Sequence, residues 1–210
     1  VDKAVQNSDA AFGDRHAAPV EFRGDIVRMI GTLFGKKKIT EDRLANVFVN
    51  ALLELVGHGF ADVAAELNES PELVGDQVLD ATDDGAFLMI VLAGNLLELD
   101  RQLPSGLDRR LTALVLSKFA QATGLRSSDL EREVGALKAM MARLNHPSKN
   151  TVYAMSRALF HQYDLFGHQT DEYFRDKREP HPVTLKRLNG LMGFFLWDWE
   201  NFHEHYRIAS

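Results

Sequence analysis

Between Asp83 and Leu99 large apolar residues fall on every side of a helical wheel: Phe87, Leu88, Met89, Ile90, Val91, Leu92, Leu96 and Leu97. A helix that is apolar all round is enclosed by protein or by lipid. A bilayer span needs about 20 apolar residues, the uninterrupted run Gly85–Gly94 is shorter, and Asn95 and Glu98 follow it. Leu, Met and Ala favour helix over a buried strand. The pattern predicts a buried central helix over 83–99, opened by Asp83 and Asp84 as N-terminal caps.

The rest of the chain is patterned around it. Val1–Pro19 shows no periodicity, so residues 1–21 are expected to form an N-terminal extension to a single domain over 22–210. Phe22, Ile26, Ile30 and Leu33 follow helical spacing and lead into Lys36, Lys37 and Lys38; Met29, inside this segment, is a conceivable alternative translation start. Thr40 has the character of an N-cap for a helix carrying Leu44, Val47, Phe48, Ala51, Leu52 and Leu55. Gly57-His58-Gly59 is expected to break that helix, with a second short helix over Phe60–Leu67. Ser70-Pro71-Glu72 reads as a helix start. Beyond the central helix, Leu107–Ala122 forms a helix ended by Gly124. Ser128-Asp129-Leu130-Glu131 has the form of a capping box. Leu130, Val134, Leu137, Met141 and Leu144 then repeat at 4-3-4-3 spacing. Val152 to Phe166 marks a helix ended by Gly167, and 170–182 a charged short helix or loop. Leu185, Leu188, Met192, Phe195, Trp199, Phe202 and Tyr206 repeat at 3-4-3-4-3-4, which predicts one continuous C-terminal helix. Nothing alternates with period two for long enough to predict a strand. The expected fold is all-α: a compact multi-helix array of about seven or eight helices around the helix at 83–99, with sequential helices antiparallel. Two helix pairs begin near Asp84 and Ser128, close to a HEAT-type period, but share no alignable pattern, which favours the compact array over a solenoid.

Composition narrows the function classes. The net charge is −6 with no large basic region, against a dedicated nucleic-acid binder. The chain has no cysteine, so it holds neither disulfides nor thiolate chemistry. The first 25 residues lack the apolar core of a signal peptide, and a cytoplasmic protein is expected. No phosphate-loop, nucleophile-elbow, zinc-protease or dinucleotide fingerprint occurs.

Three constellations could carry chemistry. Glu200 and His203 form a Glu-x-x-His pair of the kind that aims two ligands at one metal from one helix, although a second such pair is missing. The substitutes, Glu54 with His58 and Asp164 with His168, have i, i+4 spacing. His161, Asp164 and His168 lie opposite the Val152–Leu159–Phe166 stripe, near Arg157. That is the place of a solvated face or, facing His203, of a mixed zinc or iron site. Asp80, Asp83 and Asp84 cluster as aspartates that hold Mg²⁺ for phosphate chemistry do, but the spacing matches no motif, and capping of the central helix accounts for Asp83 and Asp84 without a metal. Finally, Phe194, Phe195, Trp197, Trp199, Phe202 and Tyr206 are wider than one stripe, and Gly190 and Gly193 before them would permit a close helix approach. Phe194, Trp197, Trp199, Phe202 and Tyr206 fit an isologous dimer interface or a helix between two layers.

The leading expectation is a non-enzymatic helical protein without cofactor. It acts on a protein partner, most simply as a homodimer, and not on nucleic acid. The alternatives are a helical-bundle enzyme using Fe, Mn or Zn on Glu200, His203, His161 and Asp164, and peripheral membrane binding through Phe22 to Lys38.

Overall fold

The computed structural model describes residues 36–75, 77–146 and 148–209. The N-terminal extension and the Phe22–Leu33 helix expected from sequence lie outside these residues.

Among the described residues eight α-helices and two short strands follow one another: β1 (Lys37–Thr40), α1 (Glu41–Asn68), α2 (Gly85–Gln102), α3 (Leu107–Thr123), α4 (Ser127–Leu144), α5 (Thr151–Gln162), α6 (Glu172–Lys177), α7 (Pro182–Met192), α8 (Trp199–His205) and β2 (Tyr206–Ala209). The fold is the all-α array that the apolar periodicities predict. Helix α2 is its centre: it packs against α1, α3, α4 and α5. Phe87, Ile90, Val91, Leu92, Leu96 and Leu99 are wholly buried. A helix gripped by four others is the axis of a compact array, whereas a solenoid repeat touches only its neighbours. Gly94 permits one of these approaches, since a Cβ there would lie 2.5 Å from Sδ of Met155 on α5.

The caps differ from expectation. Asp84 occupies the N-cap of α2 without a side-chain bond. The hydroxyl of Tyr163 takes that place: it accepts from Phe87 N at 3.0 Å and donates to Asp83 O at 2.6 Å. Asp80 caps its own turn, accepting from the backbone N and hydroxyl of Thr82. At α4 the side chains of the expected capping box cap nothing; Asp129 instead pairs with Arg126 and Arg132. No helix starts at Ser70. The 70–80 connection is tied down by Asn68, whose carboxamide accepts from Val78 N and Leu79 N and donates to Leu79 O.

Three larger corrections bear on function. Helix α1 runs unbroken through Gly57, His58 and Gly59. Gly59 serves packing there: a Cβ would lie 2.8 Å from Cζ of Phe195. Gly190 and Gly193 have open space around them and mark no close approach. The expected single C-terminal helix is broken: α7 ends at Met192, a 3-10 turn covers Gly193–Phe195, Leu196 is extended, and α8 starts at Trp199. The two strands, unforeseen, pair in parallel with Lys37 opposite Tyr206 and Thr40 opposite Ala209. At four residues each they are too short to show an alternation. The helix expected to reach Phe166 stops at Gln162, because Asp164 turns the backbone left-handed (φ 47°) into a 3-10 turn over Leu165–His168.

Candidate functional site

The aromatic C-terminal segment is shaped by one residue of the central helix. Asn95 is fully buried. Its Nδ2 donates to Phe195 O at 2.7 Å and to Val91 O at 2.9 Å, and its Oδ1 accepts from Trp197 N at 2.8 Å. Backbone groups left bare by a helix break need partners, and this carboxamide supplies two. Below the break, Trp197 lies 5.1 Å from the ring of Phe48 on α1, Trp199 packs edge-on to Phe202, and Phe202 stacks on Tyr206 at 5.4 Å. Trp199, Phe202 and Tyr206 are buried within their own chain, while Phe194 and Trp197 are half-buried. Burial pushes the Tyr206 phenol up. The aromatic excess thus seals α1 against the C-terminal layer, the second arrangement its two-faced pattern allowed.

The proposed metal ligands are dispersed. Glu200 is exposed, and His203 lies against the rings of Trp199 and Phe202. His161 stands edge-on to Phe166 at 4.9 Å. Asp164 pairs with Arg178 at 2.8 Å. A ring nitrogen of His168 meets Val74 O at 3.0 Å. Among the described residues no group of three or more metal-ligating side chains comes together. Lys36, Lys37 and Lys38 are exposed, but Lys37 and Lys38 belong to strand β1 rather than to a turn closing an amphipathic helix. Helix α1 is long and apolar enough to cross a membrane by length and composition; its eleven buried residues make it a core helix of the array.

What the structure assembles instead is a corner built by α5, α6 and the start of α7. Its anchor is Gln169, wholly buried, whose Nε2 donates to Glu179 O at 2.9 Å and whose Oε1 accepts from His181 N at 2.6 Å. Asp171 caps α6 by accepting from Tyr173 N, and Arg178 ends it in a left-handed turn (φ 50°). Arg178 then reaches across the face of Phe166, 4.9 Å from its centroid, to Asp164. Arg157 on α5 donates to Glu179 and to the Tyr153 hydroxyl. The His161 imidazole is pushed below its ordinary range by burial first, then by Arg157 and Arg178, against the opposing pull of Glu179 and Asp164.

This framework holds apolar surface outward. Tyr173 is 65% exposed and Val183 43%. Phe174 links them: its ring meets Tyr173 edge-on at 5.3 Å and His181 at 4.9 Å, and His181 Nδ1 accepts from Val183 N. Glu172, Asp176 and Lys177 are exposed around them. Sequence reasoning named Arg157, His161 and Asp164 at the edge of this corner but passed over Gln169, Tyr173 and Val183, because 170–182 has no periodicity. The available signal was an aromatic pair, Tyr173-Phe174, standing in a charged stretch with no stripe to explain it. Comparison with known proteins gives no match: no family model, no curated protein and no solved structure matches the chain.

Proposed function

We propose that the protein works by self-association, and that the α6 corner is the face through which two copies meet. The observation that carries this is Tyr173, a large ring held two-thirds exposed on a corner whose backbone is fixed from beneath by a buried glutamine. Tyrosine and arginine on a rigid base are what binding hot spots are made of. The sequence of α6 is self-complementary. Glu172 stands at its first position and Lys177 at its last, with Arg175 and Asp176 between them. Two copies crossing antiparallel about a two-fold axis set each Glu172 against Lys177 of the other copy, oppose the helix dipoles, and bring the two Tyr173 rings side by side. Each buried ring contributes roughly 1.5–3 kcal/mol. The exposed ion pairs add about 0–1 kcal/mol each and chiefly set orientation.

The test is a charge exchange read by sedimentation equilibrium. Glu172→Lys and Lys177→Glu, each alone, place like charges across the axis and are expected to be monomeric. An equimolar mixture of the two restores every pair, as does the double variant, and both are expected to dimerise. A wild-type protein that stays monomeric at high micromolar concentration would refute the proposal. So would a mixture that fails to recover the dimer.

A further inference from the structure

We infer that the α6 corner is a latch released by acid, in which an uncharged His161 is the condition for Arg178 to lie against Phe166. Positive charge is crowded here. Phe166 holds both groups at one ring: the guanidinium carbon of Arg178 lies 4.9 Å from its centroid and the His161 ring centroid lies 4.9 Å from it too. Arg157 precedes His161 by four residues on α5, so it lies on the same face, where like charges oppose each other. A proton on His161 therefore makes a third cation beside two arginines. The carboxylates in reach are Asp164 and Glu179, and both are committed, Asp164 to Arg178 and Glu179 to Arg157.

Beside the buried Gln169, those same two ion pairs tie the turn after α6 to α5 and to the turn that follows α5. The latch is also held against backbone preference, since Asp164 and Arg178 both have left-handed backbones, φ 47° and 50°. Such residues persist only where the surroundings over-determine them. Loss of the Arg178 contacts removes that support at both positions.

The sign follows from burial and charge acting together. The folded corner favours the neutral imidazole. The stabilisation is therefore complete above the ordinary histidine value of about 6.5 and drains away as pH falls below it toward the folded value. His168 and His181 border the same corner, and the variants below separate them from His161. The inference concerns a single copy and does not rest on self-association.

The experiment is hydrogen exchange of the α6 amides and those of Arg178, Glu179 and His181 at pH 7.5 and pH 5.5 in dilute full-length protein, corrected for intrinsic exchange. Wild type is expected to lose protection there severalfold at the lower pH, while the amides of α2 hold theirs. His161→Phe keeps an aromatic edge and His161→Gln keeps polarity, and neither takes a proton; both are expected to keep α6 protected at pH 5.5. Arg178→Gln removes the latch itself, leaves the Gln169 bonds in place, and should lower α6 protection to the same extent at both pH values. Equal wild-type protection at the two pH values would overturn the inference. So would the same acid loss in both His161 variants, which would assign it to His168 or His181.

Discussion

Gly57 and Gly59 sit two residues apart in the middle of α1, and alanine at the two positions should have opposite effects. Alanine is favoured over glycine in a helix interior by about 1 kcal/mol. Around Gly57 a new Cβ meets nothing within 4 Å. Gly57→Ala should therefore realise most of that gain, about 0.4–1 kcal/mol. At Gly59 the Cβ would stand 2.8 Å from Cζ and 2.9 Å from Cε1 of Phe195. That ring cannot swing aside freely. It is buried, it lies edge-on to Phe87 at 4.8 Å, and the carbonyl of the same residue is held by Asn95. Overpacking of this kind costs about 1–3 kcal/mol. Set against the helical gain, Gly59→Ala should come out near neutral to destabilising by about 2 kcal/mol. The two variants should thus differ by about 1–3 kcal/mol in urea unfolding with equal slopes. For a chain of this size that is several degrees in Tm. Trimming the ring should cancel the clash, so Gly59→Ala should cost less in a Phe195→Leu background than alone. If Gly59→Ala stabilises as much as Gly57→Ala, Phe195 gives way without cost, and Gly59 has no role in seating the C-terminal segment.

Two further substitutions test the polar groups that fix the central helix. Asn95→Ala leaves Phe195 O and Trp197 N without partners, at about 1–3 kcal/mol per stranded group, so a loss of roughly 2–6 kcal/mol is expected in chemical denaturation; unchanged stability would remove the clamp. Tyr163→Phe removes the hydroxyl that serves Phe87 N and Asp83 O at a helix end within reach of water, for about 1 kcal/mol. Burial first of all pushes that phenol up to about 12. The fold thus favours its neutral form, and its stabilisation is present below the ordinary tyrosine value near 10 and is lost as pH climbs from there through 12. Tyrosinate absorbance in an alkaline titration should show one late-ionising phenol missing from Tyr163→Phe, and identical titrations would refute this.

The elements legible in the sequence were those whose stability is local or one-sided. The run at 83–99 is apolar on all faces and is buried on nearly all of them. The 4-3-4-3 stripe of α4 faces inward, with Leu130, Val134, Leu137 and Met141 buried. What failed were features decided by a residue far away in the chain. Glycine is both a helix breaker and a point of close approach, and at Gly59 the choice depends on Phe195, which no local window contains. The 3-4 repeat from Leu185 to Tyr206 is as good as that of α4, yet the helix breaks because Asn95, 100 residues before Phe195, offers partners for an interrupted backbone. The polar corner was illegible for another reason. Its order comes from Gln169 and from charges paired across a turn, and hydrogen bonds of this kind leave no period behind.

An aromatic excess points in two directions at once for a related reason. Residues 193–206 must cover α1 on one side and α2 on another, and a segment wedged between two helices needs large side chains on more than one face. Phe195 turns toward Phe87 and Gly59, whereas Trp197, Trp199 and Phe202 gather about Phe48 or one another. From sequence, that breadth looks the same as a surface awaiting a partner. The distinction rests on whether the chain contains a polar residue able to seat the segment, and the buried Asn95 does so. Tyr173 is the opposite case. The polar anchor beneath it, Gln169, is satisfied by backbone groups of the corner itself, so the framework is complete without the ring. An exposed aromatic side chain on a framework that does not need it for support is better evidence of an outward role than a crowd of aromatics along one helix.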